Sequence, residues 1–469
     1  MSHSDPTLSL CLIAKNESAM IRECLSSVAS VVDQVIVVDT GSSDDTVAIA
    51  QSMGAEVHFF EWCDDFSAAR NEALKHVRSD WVLVLDCDER LTSWAPEAIR
   101  AAIKTPKADA FVMPLRDSCD LAAHPDDVVR GGAALREAIW LLRLFRFTPD
   151  LTWEGRVHEH VNGWLERRKG RVGSLDAPIA HYGAVPTYRT ERGNSDRNLS
   201  LLLEELSQDP TRWFARTYLV EELLERNDPR AFQHAEMLGQ FLRLRLIPSV
   251  QQGRAQHGIV KALSAVGVAL SRKARFAEVV QLMSLAQSAG IQHPNLDFLI
   301  GLARENQAHG DFDSDTQSLE QAKESYLRVL GGEEAVWLDA LIGGIRSWNG
   351  LCRLSTVLMQ LGHLEDALEG FELAGSQRND APTEIALGRC ETLIRLRRFE
   401  EALSGLHPLM EADPQSADVA ILVAEACEGL GDKAASDDFW RLAEQTVRLN
   451  LKGLHRLQRL NQQLASQAS

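Results

Sequence analysis

A change of pattern near residue 190 constrains the fold of this 469-residue chain more than any other feature of its sequence. Before that point, short apolar runs alternate with amphipathic segments of helical length. The predicted strands cover residues 8–13, 34–38, 57–60 and 81–85, and the predicted helices cover residues 17–30, 44–53 and 66–77. Such alternation predicts crossover connections and a mostly parallel sheet flanked by helices. Beyond the change, helical patterns follow one another. We therefore predict an α/β domain over residues 1–190 and an all-α domain over residues 191–469.

An internal repeat marks the all-α part. The segments LGHLEDALEGF, LRRFEEALSGL and LGDKAASDDFW begin at Leu361, Leu396 and Leu430, which are 35 and 34 residues apart. This spacing is the tetratricopeptide period. Ala367 and Ala402 occupy the same repeat position, where a small residue lets two helices approach closely. Stacked helix pairs of this kind form a curved solenoid with a concave face, which predicts a protein or peptide partner.

Composition and charge exclude several classes of protein. A formal net charge of −18 argues against a nucleic-acid partner. No apolar run approaches the roughly 18 residues that a membrane-spanning helix needs, so no integral membrane segment is expected. The eight cysteines are scattered without a C-x-x-C pair, so neither a zinc site nor a disulfide framework is expected. Because the chain also starts without the pattern of a secretory signal, the predicted location is the reducing cytoplasm.

The segment that starts at Trp81 carries the strongest indication of chemistry. A buried apolar strand ends there in two carboxylates, Asp86 and Asp88, with one residue between them. Ligands bind at the carboxyl ends of parallel strands, and carboxylates at such an edge are costly unless they are hydrated, paired or bound to a cation. An Asp-x-Asp pair offers hard oxygen ligands to Mg²⁺ or Mn²⁺ and leaves other positions for water and substrate phosphates. A divalent metal site is therefore predicted at this strand end.

Polar residues also follow the first two strands. Asp39 ends the second strand, where its carboxylate can accept hydrogen bonds from a nucleobase or a ribose. Asp44 follows a tight turn and is expected to cap the next helix. At the end of the first strand, Asn16 is expected to cap the following helix, with Glu17 as its first residue.

Four segments in sequence order together form a family resemblance: SLCLIAKNES, VIVVDTGSSDDT, FEWCDDFSAARNEAL and DWVLVLDCDE. The series resembles family 2 glycosyltransferases with a GT-A fold. Within that family it is most similar to the bacterial subgroup that carries tetratricopeptide repeats and is related to sublancin-type peptide S-glycosyltransferases. The resemblance covers about the first 90 residues densely and resumes at residues 153–159 and 179–183. Cys87 departs from it, because the subgroup usually has Ala or a similar small residue there, but this position is not a ligand.

The resemblance implies a role for each matching residue. Asp39 would bind the nucleoside, which is usually uridine in the family. Arg70 would lie close to the pyrophosphate or brace the Asp pair, and Asn71 would tie its helix to the sheet. Asp86 and Asp88 would hold the metal on the diphosphate. The full set expected to bind the donor is Lys15, Asn16, Glu17, Asp39, Ser42, Arg70 and Asp86.

The second half of the site is expected in the segment EGRVHE and beyond it. A transferase needs a base that removes the acceptor proton, and Glu154 and Glu159 rank equally for this role, above any Asp of residues 117–127. It also needs a further metal ligand or cation that stabilises the departing diphosphate. His158, His160 and His181 compete for that place, and His181 is preferred because it follows the strand-like residues 177–180. His158 is retained among the catalytic candidates.

Two features keep alternative interpretations. Trp62 and Trp153 lie beside the segments that carry the resemblance. The favoured interpretation is that they pack in the core, and the alternative is that they contact the sugar or the base. Residues 117–132 are polar and fit either a loop that closes over the acceptor side or a solvated insertion.

The sequence thus predicts an inverting glycosyltransferase that takes its sugar from a nucleotide-sugar donor, expected to be a UDP-sugar, with Mn²⁺ or Mg²⁺ as cofactor. The expected acceptor is a protein or peptide held by the repeat domain. One alternative acceptor is a cell-envelope polysaccharide or lipid-linked precursor. Another alternative is a non-catalytic repeat scaffold with a relic nucleotide-binding domain, against which the intact Asp pair argues. Homo-oligomerisation is left open.

Overall fold

The computed structural model of the protein describes residues 5–135, 138–185, 187–188, 194–251, 258–308, 316–332, 344–377 and 382–447. The described residues before Pro294 form one compact unit, and those from Pro294 onward form a second. The first unit contains the sheet and the helices that follow it as far as Ser288, and the second unit consists of helices.

In the described residues, nine strands form a single mixed sheet. The strands are β1 (Leu8–Ala14), β2 (Gln34–Asp39), β3 (Glu56–Phe59), β4 (Trp81–Val84), β5 (Glu89–Leu91), β6 (Ala110–Asp117), β7 (Ile139–Arg146), β8 (Val172–Ser174) and β9 (Ile179–His181). Their order across the sheet is β3-β2-β1-β4-β7-β6-β9-β5, and β8 pairs with β6. The first four strands pair in parallel, whereas β7 runs antiparallel to both β4 and β6.

Helices flank the sheet in the described part of the first 190 residues. They are α1 (Ile21–Val28), α2 (Thr46–Ser52), α3 (Phe66–Leu74), α4 (Ala95–Lys104), α5 (Pro125–Val129) and α6 (Asn162–Arg168). The prediction that α1 begins at Glu17 is wrong. The amides of Met20 and Ile21 both donate to the carbonyl of Glu17, at 3.0 and 2.9 Å, so a turn precedes the helix. Met20 takes the N-cap position, and Asn16 therefore does not cap α1.

Alternate residues of the central strands enter two different core clusters, one on each face of the sheet. Leu10 and Leu83 pack on the face that α1 covers. Cys11 and Val82 pack on the opposite face, which α3 covers. Strands that are covered on both sides read as continuous apolar runs. This burial leaves the carboxyl ends of β1, β2 and β4 as the places where polar side chains meet solvent.

The helices after the sheet fall into both units. Those of the first unit are α7 (Asn194–Gln208), α8 (Trp213–Glu225), α9 (Arg230–Phe241), α10 (Ile247–Gln251), α11 (Ile259–Arg272) and α12 (Phe276–Ser288), with a π-helical segment, Leu242–Leu246, joining α9 to α10. Those of the second unit are α13 (Pro294–Ala308), α14 (Thr316–Gly331), α15 (Trp348–Gln360), α16 (Leu364–Ser376), α17 (Thr383–Arg395), α18 (Phe399–Ala412), α19 (Ala417–Gly429) and α20 (Lys433–Val447). None of the helices in these ranges combines the length and the apolarity that crossing a bilayer requires.

The sequence repeat coincides with pairs of helices in the second unit. Each repeat segment spans the turn before α16, α18 or α20 and the first turns of that helix. Ala367 and Ala402 are fully buried, and Ser436, the equivalent residue of the third copy, is buried as well. The predicted fold class, an α/β domain followed by an all-α helical repeat region, is confirmed. The boundary predicted at residue 190 stays a prediction, because residues 189–193 lie outside the described residues.

Candidate functional site

A cavity of about 630 Å³ opens where β1 and β4 end. Its walls combine these strand ends with the EGRVHE segment, β9 and the first turns of α7. The lining residues are Ile13, Ala14, Lys15, Asn16, Glu17, Thr40, Trp62, Phe66, Arg70, Asp86, Cys87, Asp88, Val157, His158, Glu159, His181, Arg197 and Asn198. The cavity therefore gathers most of the residues that the sequence analysis selected, although they are spread over more than 160 positions of the chain.

The loops after β1 and β2 are joined by hydrogen bonds of Asn16. Its backbone amide donates to the Ser42 hydroxyl at 2.9 Å, and its side-chain oxygen accepts from the Ser43 amide at 2.8 Å. Asn16 has a positive φ of 54°, a conformation that Asn tolerates better than most residues. Its side chain thus fixes one loop against the other instead of capping a helix.

Asp39 lies behind this junction. Its Oδ2 accepts from the amides of Gly41 and Ser42, both at 3.0 Å, which holds the turn after β2. Its Oδ1 is buried and has no hydrogen-bond partner in the described structure. A buried carboxylate oxygen without a partner is costly. Asp39 therefore has an acceptor to spare beside Thr40, which lines the cavity.

Asp44 and Glu17 add further hydrogen bonds between the loops after β1 and β2. The Asp44 carboxylate accepts from the amide of Thr46, the first residue of α2, at 3.0 Å, and from the Ser18 amide at 3.1 Å. Glu17 donates its amide to the Thr46 hydroxyl at 2.7 Å, and its carboxylate accepts from the Tyr188 hydroxyl at 3.2 Å. The prediction that Asp44 caps α2 is wrong, because Asp45 takes the N-cap position and its side chain makes no capping hydrogen bond. Asp44 lies one residue before the N-cap and accepts from the first amide of the helix.

Arg70 braces Asp86 directly. The buried guanidinium donates to Asp86 Oδ1 at 2.7 Å and also to the carboxylate of Glu159. Burial alone would raise the pKa of Asp86, but the charges of Arg70 and Arg143 hold it well below its usual range. Asp86 is therefore ionised, and about 41% of its side chain remains open to the cavity.

The residues Arg143 and Glu89 form a second buried ion pair beside Asp86, which the sequence analysis missed. Arg143 donates to the Glu89 carboxylate and lies 3.3 Å from Asp86 Oδ2. Glu89 Oε2 accepts from the Asp86 amide at 3.0 Å. Burial raises the pKa of Glu89 to about 7, against the opposing charge of Arg143. The visible signal was an arginine within the apolar strand IWLLRLFR, since a buried charge of that kind needs a partner.

Asp88, His181 and Asp117 form a row at the other side of the Asp pair. The register of β9 sets His181 beside both Glu89 of β5 and Asp117 of β6. The Nδ1 atom of His181 lies 2.7 Å from Asp117 Oδ1, and Nε2 lies 3.8 Å from Asp88 Oδ2. Burial lowers the pKa of His181, but the bond to Asp117 and the charge of Asp88 raise it to about 9.

This row has the arrangement by which proteins orient a metal-binding histidine. Such a histidine gives one ring nitrogen to a carboxylate and presents the other to the ion. Asp117 takes the first part, which leaves Nε2 directed towards Asp88. Among the described residues, no three carboxylate, imidazole or thiol groups are already gathered closely enough to hold a metal ion. The ligand set of Asp86, Asp88 and His181 would thus need to draw together around the ion and be completed by substrate phosphates and water.

Some polar residues of the EGRVHE segment line the cavity, and others lie outside it. Glu159 and His158 line the cavity, whereas Glu154 lies outside it. The backbone of Glu154 pairs with His160, and its carboxylate lies 3.8 Å from Arg167. His160 packs edge-on against Phe214 and is also outside the lining. Of the two glutamates ranked equally, only Glu159 reaches the cavity.

His158 is held by a ring of α8. Its imidazole stacks on Tyr218 with ring centres 3.9 Å apart and planes within 4°. Its φ of 55° is unusual for a residue other than glycine. Burial lowers the pKa of His158 to about 4, so the imidazole is neutral at pH 7. His158 stacks on a residue of α8, whereas His181 faces Asp88. His158 is therefore a weaker candidate than His181 for binding the metal.

Asn71 ties α3 to the segment after β7 and not to the sheet itself. Its side-chain amide donates to the Trp153 carbonyl at 3.0 Å and accepts from the Trp153 amide at 2.8 Å. The Trp153 ring belongs to the core cluster on this face, as favoured from the sequence. Trp62 differs from it, because it lines the cavity and packs edge-on against Phe66.

Two further features were not foreseen. Asp117 ends strand β6 in the same way that Asp39 ends β2. Residues 117–132, which follow it, contain helix α5, and the Asp126 carboxylate accepts a hydrogen bond from the Ser93 amide at 2.9 Å. Helix α7 contributes Arg197 and Asn198 to the cavity, although its sequence reads only as an amphipathic helix. The strand pattern AFVMPLRD could have revealed Asp117, but nothing in the sequence pointed α7 towards the site.

Comparisons with known proteins agree with the sequence resemblance. Residues 9–162 match the model of the family described as glycosyl transferase family 2. A TPR repeat-containing protein of Synechococcus elongatus is 34% identical over 232 residues, which cover 48% of this chain and 54% of that protein. The SPbeta prophage-derived glycosyltransferase SunS of Bacillus subtilis is 27% identical over 207 residues, 44% of this chain and 46% of that protein.

A solved structure is also similar over part of the chain. Glucosyl-3-phosphoglycerate synthase from Mycobacterium tuberculosis, in complex with Mn²⁺, UDP and glucosyl-3-phosphoglycerate, shares 25% identity over 24% of this chain and 44% of its own, with a TM-score of 0.21. The chain spans about half the length of the two curated relatives above. The predicted family and the predicted kind of enzyme are confirmed for the N-terminal part of the chain: residues 9–162 form a domain of glycosyl transferase family 2.

Proposed function

We propose that the protein transfers a sugar from a UDP-sugar to a protein or peptide, with inversion at the anomeric carbon and with a divalent metal held at Asp86, Asp88 and His181. The observation that carries this proposal is the row of Asp117, His181 and Asp88. Asp117 fixes the imidazole so that Nε2 faces the Asp88 carboxylate at 3.8 Å. Two side chains with suitable donor atoms thus face one another across a gap at the wall of a cavity.

The residues around the Asp pair fit such an ion in charge as well. Asp86, Asp88, Glu89 and Glu159 bring four carboxylates, and the buried Arg70 and Arg143 neutralise part of their charge. A carboxylate has about four lone-pair sites, so Asp86 can still accept a ligand while it is bonded to both arginines. A bound Mn²⁺ or Mg²⁺ would neutralise negative charge on the leaving diphosphate. Arg70 and Arg143 hold Asp86 ionised for that purpose.

The nucleoside is assigned to the junction of the β1 and β2 loops. The partnerless Oδ1 of Asp39 supplies a hydrogen-bond acceptor there, which suits a donor N–H of a base such as uracil or a hydroxyl of a ribose. Lys15, Asn16 and Glu17 form the adjoining wall of the cavity. Ser42 supports the wall through its bond to the Asn16 amide. Of the predicted donor-binding set, Lys15, Asn16, Glu17, Arg70 and Asp86 line the cavity, whereas Asp39 and Ser42 lie outside that lining.

Glu159 is the base in the proposed reaction. Its carboxylate lines the cavity while that of Glu154 does not. Arg70 holds one oxygen of Glu159 and orients the group towards the same cavity as Asp86. The acceptor hydroxyl or thiol would lose its proton to Glu159 as its oxygen or sulfur attacks the anomeric carbon, and the bond from that carbon to the diphosphate breaks.

The proposed acceptor is a protein or peptide because of the stacked helix pairs of the second unit. Stacked pairs of this kind create an extended concave surface that suits an unfolded or extended segment of another chain. The alternative acceptors are a cell-envelope polysaccharide and a lipid-linked precursor. The experiment below distinguishes these acceptors by the nature of the labelled product.

The test is release of UDP from UDP-glucose, UDP-N-acetylglucosamine and UDP-galactose by the full chain, with Mn²⁺ and with EDTA. We expect turnover of at least one donor with Mn²⁺ and its loss with EDTA. The variant Asp88→Asn should lose activity by at least about 100-fold while its far-ultraviolet circular dichroism stays unchanged. Asp150→Asn, on the surface near Arg168, is the matched control and should behave like wild type. Turnover in Asp88→Asn equal to that of wild type would overturn the metal assignment.

The acceptor is tested with the donor that passes this screen. Radiolabelled donor is offered with a library of unstructured peptides that contain Ser, Thr or Cys, and separately with cell-envelope saccharide. Label that becomes protease-sensitive supports a peptide acceptor. Label found only in the saccharide fraction would contradict it.

A further inference from the structure

The EGRVHE segment forms a wall between two cavities. Its residues 157–159 line the cavity that contains the Asp pair, and its residues 154–156 line a smaller cavity of about 300 Å³. Two residues of the segment have a positive φ, which is 100° at Gly155 and 55° at His158. A residue other than glycine keeps such a conformation only where its surroundings enforce it. The contacts around the segment therefore determine the position of Glu159.

Glu205 of α7 makes a buried contact with the main chain of this segment. Its Oε2 accepts from the Arg156 amide at 2.9 Å, and only 7% of its side chain is exposed. Arg212 donates to Oε1 at 3.2 Å and balances the charge. Burying a carboxylate is costly unless it is both paired and hydrogen-bonded. Here the second of these bonds comes from the backbone of the EGRVHE segment.

Helix α3 holds the same segment from a second direction. The amide of Phe66, the first residue of α3, donates to the Arg156 carbonyl at 2.8 Å. This bond satisfies one of the amides that the start of a helix leaves without a partner. One turn further along α3, Arg70 donates to the carboxylate of Glu159. Both polar groups of the Arg156 backbone are therefore fixed, one by α3 and the other by Glu205.

Helix α8 contacts the residue beside Glu159. Tyr218 stacks on the His158 imidazole with 3.9 Å between the ring centres. The ammonium group of Lys261, which belongs to α11, lies 4.7 Å from the centre of the same Tyr218 ring. Helices α7, α8 and α11 all follow the family-matched residues 9–162. The conformation of the EGRVHE segment thus depends on the chain beyond that match.

We propose that Glu205 is a positioning residue of the transferase, which fixes the Arg156 amide and through it holds Glu159 at the cavity. This inference rests on the proposed function, in which Glu159 is the base. Glu205 lines the smaller cavity and not the one with the Asp pair, so it acts through the segment and does not touch the substrates. A displacement of about 1 Å at a reacting group can cost about 100-fold in rate. Helix α7 is on this view part of what sets kcat.

The test compares kcat for UDP release with the affinity for UDP, titrated calorimetrically in the presence of Mn²⁺. Glu205→Asp keeps the charge beside Arg212 but is one methylene too short for the Arg156 amide. It should lower kcat about 10- to 100-fold and leave UDP affinity unchanged. Glu205→Gln keeps an acceptor oxygen at the original reach and should restore most of kcat. Glu204→Ala is the matched control, because it removes a half-exposed carboxylate of α7 that lies 3.2 Å from the Arg156 guanidinium. It should behave like wild type.

The outcomes separate this inference from the proposed function. If wild type turns over no UDP-sugar, the proposed function fails and the inference fails with it. If wild type is active and Glu205→Asp has the same kcat, only the inference is overturned. A parallel loss of kcat and UDP affinity would also overturn it, because a displaced base does not weaken donor binding. A kcat of Glu205→Gln as low as that of Glu205→Asp would overturn it too, because the bond to the amide would then not be the cause.

The comparison also holds if Glu205→Asp is less stable than wild type. Both proteins are then assayed below the unfolding transition of the variant. The stoichiometry of UDP binding counts the folded molecules, so that kcat refers to folded protein alone. A kcat equal to that of wild type on this basis overturns the inference, and a lower kcat with unchanged UDP affinity supports it.

Discussion

Asp117 holds His181 from behind, with 2.7 Å between Oδ1 of the carboxylate and Nδ1 of the imidazole. The two residues are neighbours across β6 and β9, so the sheet itself fixes their distance. A histidine that gives Nδ1–H to a carboxylate presents Nε2 as a ligand of increased basicity. In the proposed site, Asp117 would therefore act on the metal through His181 without touching it.

Replacing Asp117 should weaken metal binding while the fold remains. We expect Asp117→Ala to reduce the affinity for Mn²⁺ about 10- to 100-fold, the usual cost of removing a partner that orients a metal ligand. Titration of free Mn²⁺ by electron paramagnetic resonance measures this directly. Asp127→Ala removes an exposed carboxylate of α5 and should bind Mn²⁺ as wild type does. Equal affinities of Asp117→Ala and wild type would contradict the role of Asp117 in orienting His181 as a metal ligand.

Gly183 offers a second and sterically defined test of the same place. A Cβ atom at Gly183 would overlap Asp88 Oδ2 and lie 2.7 Å from His181 Nε2. Gly183→Ala should therefore push both side chains apart and lower Mn²⁺ affinity and turnover together. Gly132→Ala, whose Cβ would make only an ordinary contact of 3.5 Å with a backbone oxygen, is the control. Undiminished Mn²⁺ binding by Gly183→Ala would place the ion elsewhere.

Residues at strand ends were predictable from sequence because each depends on a local pattern. Asp39, Asp86 and Asp88 each follow an apolar run, and parallel strands bring their carboxyl ends to one edge. The predicted strands agree with β1, β2, β3 and β4 to within one residue at each end. The first 90 residues therefore contained enough local information to define half of the site.

Contacts made by later strands and helices were not predictable in this way. Asp117 and His181 meet only because β6 and β9 pair in parallel, and their separation of 64 residues leaves no local trace. Arg143 reaches Asp86 because β7 lies antiparallel beside β4. Arg197 lines the cavity because of the position of α7, which no local sequence pattern indicates. The free energy of such pairings comes from tertiary packing, so sequence periodicity does not reveal them.

Acid should destabilise the fold through His158. The pKa of His158 is about 4 in the folded protein because burial opposes its charged form, against an ordinary value of 6.5. Between these values the unfolded chain binds a proton that the folded protein does not. The stability that the folded protein gains from keeping His158 neutral is therefore fully present above pH 6.5 and is lost as the pH falls through 4.

Urea unfolding at pH 7 and at pH 4.5 measures this effect. Wild type should lose up to about 3 kcal/mol more free energy of unfolding on acidification than His158→Gln, which has no group to titrate. His407→Gln replaces an imidazole that is largely exposed and should show the pH dependence of wild type. The same acid sensitivity in His158→Gln as in wild type would mean that other groups cause it.

The helical repeats can be tested through the small residue at their shared position. Ala402 of α18 is fully buried and packs with Leu368 of α16 and Leu393 of α17. A longer side chain there has no space without moving a helix, and overpacking of this kind typically costs about 1–3 kcal/mol. Ala402→Met should therefore lower the thermal unfolding midpoint of the full chain. Ser404→Met places the same side chain on the exposed face of α18 and should leave the midpoint within about 1 °C of wild type. An unfolding midpoint of Ala402→Met equal to that of wild type would contradict the close helix contact at this repeat position.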